Sequence, residues 1–371
     1  MKNQLKRGLA AILVGLLLGP VISFADTISP ESFSADLAVG ESETIRKTVV
    51  IEAAGPGGAL IDVHFLIDTS GSMGGAITGA KSAAADILTG LAGFGDLATG
   101  VGVFSEGASL TNSVPGNVIN QDLTTDTTTA ASAIDDVTLG NPDGGGDFPE
   151  RGQDATALAA ENVSWRPGSN RFIIALGDAS WKNDLVSDAD AIAALEDNDV
   201  NLIGLRFSSF SGSDPDSDDT TFTQSVEDLG GTVFDTGTDP DDIVAAILAG
   251  ITGSFSEYSE VTVDDLGGGL PEIGVETTCV SADIGSCSGA IASGDFDRSI
   301  DRTFEFDVTF TRLAAGDKAF DTFALVDGGI VAREADRFGG DAVDVPEPGT
   351  LSLIGLGLLG LGVRARGRRR V

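Results

Sequence analysis

With one histidine and two cysteines in 371 residues, the chain has few of the side chains on which hydrolytic, redox and zinc chemistry depend. The histidine, His64, sits in an apolar run four residues ahead of Asp68. If that run is a strand, the imidazole lies roughly 13 Å from the polar loop that follows, at about 3.3 Å of rise per residue. A Ser-His-Asp or Cys-His triad would need this imidazole as its base, so the sequence disfavours nucleophilic catalysis of that type. Cys279 and Cys287 match neither a C-x-x-C redox motif nor the spacing of a zinc ribbon. Positive charge is equally scarce, because 22 Lys and Arg oppose 57 Asp and Glu for a net charge of −35. So acidic a chain repels nucleic acid and anionic lipid headgroups, and favours cations, a saline exterior or a basic partner. Aspartate is abundant, yet no pair of acids stands out in the setting that glycoside hydrolysis requires.

What is present begins at the two ends. Residues 1–25 carry Lys2, Lys6 and Arg7, then an apolar core from Leu9 to Leu18, then Ser23-Phe24-Ala25. These are the parts of a secretory signal peptide, with cleavage expected after Ala25. The apolar core is shorter than the about 20 residues a membrane span needs. At the other end, Val345-Pro346-Glu347-Pro348-Gly349-Thr350 precedes an apolar run from Leu351 to Val363 and a terminus holding Arg364, Arg366, Arg368, Arg369 and Arg370. The sequence Pro346-Glu347-Pro348, the short transmembrane segment and the terminal arginines together resemble the PEP-CTERM sorting signal. That resemblance implies a transient inner-membrane anchor in a Gram-negative bacterium, removal of residues 346–371 by an exosortase, and a final place at the cell surface or in the extracellular matrix. Without both terminal segments, 14 basic and 56 acidic side chains remain, a net charge of about −42. In an exported chain Cys279 and Cys287 read as a disulfide around a loop of about nine residues, stabilising by roughly 2–3 kcal/mol through loop entropy.

Between the ends lie about 320 residues, enough for two domains. Residues 59–256 are organised around Ile61-Asp62-Val63-His64-Phe65-Leu66-Ile67-Asp68-Thr69-Ser70-Gly71-Ser72-Met73-Gly74-Gly75. An apolar run broken only by Asp62 and His64 predicts a strand buried on both faces, and helical spacing resumes from Met73 to Phe94. Asp68, Ser70 and Ser72 then share one loop at the carboxyl end of a strand, where open α/β sheets bind ligands. Strands and helices alternate from there to Gly250, which predicts an α/β fold with a doubly wound, mostly parallel sheet. From about Tyr258 the periodicity falls to two, predicting a β-sandwich over residues 257–345. The loose strands of residues 26–58 are too few to stand alone, so they are expected to complete that sandwich, with the α/β domain inserted in it or followed by it.

The Asp68-x-Ser70-x-Ser72 loop resembles the metal-ion-dependent adhesion site of von Willebrand factor type A domains, which are Rossmann-like. The resemblance extends to Asp147-Phe148-Pro149-Glu150-Arg151-Gly152-Gln153-Asp154-Ala155, to Trp165-Arg166-Pro167-Gly168, and to Arg171-Phe172-Ile173-Ile174-Ala175-Leu176-Gly177-Asp178-Ala179, in the order found in integrin β-like domains. It implies a divalent cation, Mg²⁺ or else Mn²⁺ or Ca²⁺, coordinated by the hydroxyls of Ser70 and Ser72, with Asp68 and Asp178 acting largely through water or hydrogen bonds and Glu150 supplying a carboxylate. The plainer reading of Glu150 is an acid at a helix amino terminus. Asp147 is the candidate for a second cation, although Gly145 stands where the family pattern has an amide side chain, and Gly74 and Gly75 replace the acidic pair of a further site. The family's ligands complete the metal shell with an acidic side chain. The expected function is therefore adhesion to a protein or polysaccharide that presents a carboxylate, with no enzymatic activity; the alternative is an extracellular hydrolase that uses the domain for docking.

Overall fold

The computed structural model describes residues 26–53, 55–110, 117–140, 149–183, 185–207 and 221–339. The expected signal peptide, Gly145 and Asp147, and the sorting signal at 346–371 lie outside the described residues. The chain opens with β1 (Thr27–Ser29), β2 (Ser32–Asp36) and β3 (Ser42–Ile51). An α/β stretch follows: β4 (Ala59–Asp68), a 3₁₀ turn (Gly71–Met73), α1 (Gly74–Ala92), β5 (Gly95–Phe104), β6 (Gln121–Thr124), α2 (Thr127–Asp135), α3 (Gly152–Asn162), β7 (Asn170–Gly177), α4 (Asp188–Asp197), β8 (Val200–Phe207), α5 (Thr221–Glu227), β9 (Thr232–Thr236) and α6 (Pro240–Ser254). Strands β10 (Glu257–Asp264), β11 (Ile273–Ala282), β12 (Ser286–Ser288), β13 (Ile291–Asp297), β14 (Arg302–Arg312), β15 (Lys318–Val326) and β16 (Gly329–Gly339) complete the described chain.

The α/β stretch forms one sheet in the order β6-β5-β4-β7-β8-β9, parallel throughout except for β6 at its edge. Alternation along β4 sends Ile61, Val63, Phe65 and Ile67 into a core shared with α1, α2 and α6. Leu66 faces the opposite core, with α3, α4 and α5. Each such fully buried aliphatic or aromatic side chain contributes roughly 1.5–3 kcal/mol. The two polar breaks in β4 are both answered. Arg166 clamps Asp62 through Nε at 2.6 Å and through its own backbone N–H at 2.7 Å. His64 Nε2 donates to the Val118 carbonyl at 2.8 Å. Its ring fits only because the next strand has glycines: a Cβ at Gly100 would lie 2.6 Å from Nδ1, and one at Gly102 would lie 2.8 Å from Nε2. Burial pushes the imidazole down to about 4, so it is neutral and structural.

Two further sheets face each other: β1-β3-β14-β11, and β12-β13-β10-β15-β16-β2. Strand β3 runs antiparallel to β14 from Ile51 opposite Arg302 to Ser42 opposite Thr311, and β2 lies parallel to β16. Strands from before and after the α/β stretch therefore share both sheets. Phe296, Phe304, Phe306, Phe310 and Phe338 fill the space between them, and a disulfide joins Cys279 on β11 to Cys287 on β12. Among the described residues no helix is long and apolar enough to cross a membrane.

Candidate functional site

The chain winds from β4 to β5 on one side of the sheet and from β7 to β8 on the other, so a crevice opens at the carboxyl ends of the adjacent strands β4 and β7. Asp68 is the last residue of β4, and Asp178 directly follows β7. Asp68 turns back on its own loop, and its Oδ1 accepts the Ser70 backbone N–H at 2.7 Å. This Asx turn brings the Ser70 hydroxyl to 3.2 Å from that of Ser72, and Ser72 donates to Asp178 Oδ1 at 3.1 Å. The two loops are thus linked through hydroxyl groups. Thr69 fastens the turn to the neighbouring strand, its N–H and Oγ1 both reaching the Phe104 carbonyl, at 2.8 and 3.0 Å.

Glu150 enters from a third segment. Its N–H donates to the Ser180 carbonyl at 2.9 Å, and its carbonyl accepts from the Lys182 N–H at 2.7 Å. This short bridge beside Trp181 sets Glu150 next to the loop that carries Asp178. Trp181 is itself anchored edge-on against Phe104 and Phe222. Gly152, at the start of α3, lies under its ring, where a Cβ would stand 2.1 Å from Nε1. The Glu150 carboxylate is fully buried, and neither of its oxygens has a hydrogen-bond partner.

Such an arrangement is costly without a countercharge. Burial pushes Glu150 up to about 8, with Asp68, Glu106 and Asp178 adding to the rise and Lys182 opposing it. Asp68 is pushed up to about 7, first by burial, against its hydrogen bonds from Ser70 and with Asp178 and Glu106 adding to the rise. Two of these neighbours escaped the sequence reading. Glu106 follows β5 by two residues and pairs with the Lys182 ammonium at 2.5 Å. Glu106 could have been found only by knowing that β5 lies beside β4, which places Ser105-Glu106 at the same sheet edge as Asp68.

The expected ligand residues Asp68, Ser70, Ser72, Glu150 and Asp178 are therefore drawn from three segments that meet at one crevice, while Asp147 lies outside the described residues. Gly74 and Gly75 open α1. Among the described residues no three His, Cys, Asp or Glu side chains gather closely enough to hold a metal unaided, because the groups linking Asp68 to Asp178 are hydroxyls. A hard cation that keeps part of its water shell accepts such a set of few carboxylates and neutral oxygens. The orphaned Glu150 carboxylate is what a nearby cation would satisfy.

Comparison with known proteins identifies the PEP-CTERM protein-sorting motif at residues 344–370; the carboxyl terminus carries this motif. No curated protein matches the chain. Among solved structures, a von Willebrand factor type A protein from Catenulispora acidiphila is similar at 15% identity and a TM-score of 0.41, over 86% of this chain and 76% of that one. Proximal thread matrix protein 1 from the mussel byssus, whose MIDAS motif is occupied by zinc, is similar at 16% identity and a TM-score of 0.39, over 56% and 48%. The SpRpn10 VWA domain is similar at 14% identity and a TM-score of 0.34, over 51% and 94%.

Proposed function

We propose that this is an exported surface or matrix protein that binds a carboxylate-bearing protein or polysaccharide through a divalent cation. Ser70 and Ser72 would hold the ion through their hydroxyls, Asp68 and Asp178 would orient those hydroxyls and carry its outer charge, and Glu150 would face it as a carboxylate. When bound, the cation supplies an electrophilic position with room for an external oxygen ligand. The observation that supports this most is Glu150, a fully buried carboxylate with neither oxygen bonded, set against three further carboxylates that share its field, Asp68, Glu106 and Asp178. The sorting motif at 344–370 supports export, with exosortase as the processing partner and the inner membrane as a transient anchor. A binding protein is preferred to a hydrolase because the one imidazole is spent on packing inside β4.

Calorimetric titration of Mg²⁺, Mn²⁺ and Ca²⁺ into the purified protein tests the reading. The expected result is saturable binding of at least one ion, lost in Asp68→Ala and in the double change Ser70→Ala with Ser72→Ala, and weakened in Glu150→Gln. Equal heats from wild type and Asp68→Ala would overturn it.

A further inference from the structure

Far from the crevice, a second group of buried charges sits between the two sheets of the sandwich. Lys47 on β3 and Glu334 and Asp336 on β16 point inward, each no more than 1% exposed. Lys47 Nζ contacts Glu334 Oε2 directly, stands 3.7 Å from Asp336 Oδ1, and lies 5.2 Å from the centre of the Phe310 ring. Thr322 on β15 donates to Asp336 Oδ2, which leaves Oδ1 turned toward the amine. Glu334 Oε1 and Asp336 Oδ1 have no hydrogen-bond partner. As a device for holding a core together this is poor, since one ammonium opposes two carboxyls and desolvation offsets most of their attraction.

It is, however, the constellation that amide formation needs: an amine, a carboxyl carbon in contact with it, and a second carboxyl to carry a proton, in a site closed to bulk solvent. We propose that Lys47 and Glu334 condense to an intramolecular isopeptide bond, with Asp336 as the proton carrier. Within the buried pair a proton passes from the ammonium to the carboxylate, because an apolar site disfavours both charges. The rise of Glu334 to about 7, caused first by burial and opposed by Lys47, accords with that transfer. The Nζ lone pair then attacks Glu334 Cδ, and the C=O electron pair moves onto its oxygen. Asp336 takes one proton from Nζ and delivers it to the departing hydroxyl. That hydroxyl leaves as water with the C–O electron pair, the C=O bond re-forms, and Asp336 is again a carboxylate. One N–C bond is made, one C–O bond is broken, one water is released, and nothing is oxidised or reduced.

The bond would join the longest strand before the α/β stretch to the last described strand after it, across a separation of 287 residues. A pull on the crevice relative to the carboxyl terminus would then meet a covalent tie between the two sheets instead of hydrogen bonds that unzip one by one.

Mass spectrometry of the purified full chain, denatured, tests this directly, with the disulfide taken into account. The expected mass is lower than the sequence requires by one water, and trypsin yields a branched peptide joining Lys47–Lys81 to Glu334–Arg337. Lys47→Met and Glu334→Ala restore the full mass. Asp336→Asn keeps both reacting groups and is expected to leave most of the protein unlinked. Wild type at full mass with linear peptides on both sides would overturn the proposal, whether or not any of the variants folds. A branch through Asp336 instead of Glu334 would overturn the assignment of the two carboxyls.

Discussion

The molecule buries two groups of carboxyls and treats them in opposite ways. In the sandwich, Glu334 and Asp336 meet Lys47, a cation the chain supplies from a strand on the facing sheet. In the crevice, Asp68 and Glu150 are as deeply buried, yet the ammonium in reach, Lys182, is paired with Glu106. The first group is complete within the chain, as an ion pair on folding and as an amide under our proposal. The second has no cation of its own placed against it, and under our proposal a divalent cation from outside the chain meets that demand. A buried carboxyl is thus evidence for an external cation only where the chain has not brought its own.

Opposite responses to removing one charge would establish this contrast. Lys47→Met strands two carboxyls in an apolar core and removes the proposed crosslink, so stability is expected to fall by about 3–5 kcal/mol or more, read as a lower denaturant midpoint, with cation affinity unchanged in whatever protein remains folded. Asp68→Ala removes one of several mutually repelling acids, so the chelated protein is expected to keep its midpoint or gain slightly while divalent-cation binding and attachment are lost. If Asp68→Ala unfolds the protein and Lys47→Met does not, the two groups have been assigned the wrong way round.

A smaller effect is expected from pH. Asp68 and Glu150 have folded-state values raised to about 7 and about 8, against about 4 in the unfolded chain. The folded state therefore binds more protons than the unfolded one between these values. The stability contributed by the raised groups is full below about pH 4 and is lost as pH rises through 7 and 8. Chelated wild type should be less stable at about pH 8.5 than at about pH 5 by more than chelated Glu150→Gln is, since the variant lacks one of the two titrations. Saturating divalent cation should flatten or reverse the wild-type slope. Identical slopes for the two chelated proteins would mean that Glu150 does not titrate with folding.

The crevice was largely legible in the sequence and the sandwich group was not, for a physical reason. Strand β4 is buried on both faces, so it reads as a continuous apolar run, and Asp68 marks its end by breaking that run. Helices α1, α3 and α6 announce themselves by apolar spacing of 3.6 residues and by what lies at their ends, such as Asp239 accepting the Asp241 N–H at 3.0 Å at the start of α6. Strand β16 offers no such signal. Arg333 and Arg337 point to solvent while Glu334 and Asp336 point inward, so charge alternates with charge and the period of two is hidden. Lys47 likewise makes sense only beside a partner 287 residues away. Glu106 needed the strand order, which periodicity cannot supply.

The least disruptive change concerns His64, a buried titratable group that belongs to neither cluster. His64 Nδ1 has no partner, and Nε2 donates to the Val118 carbonyl, so the ring acts as a neutral donor within the sheet. In His64→Gln the side-chain amide can reach the same carbonyl without the ring that Gly100 and Gly102 make room for, leaving a small void. A loss of about 1–2 kcal/mol is expected, from imperfect packing and a weakened hydrogen bond, with cation affinity and attachment unchanged. Because the imidazole is already held neutral at about 4, this variant should also follow the wild-type pH profile between about pH 5 and pH 8.5. A change in cation affinity of tenfold or more, or a new pH dependence in that range, would show that His64 reports to the crevice through β4 and is more than a packed strand residue.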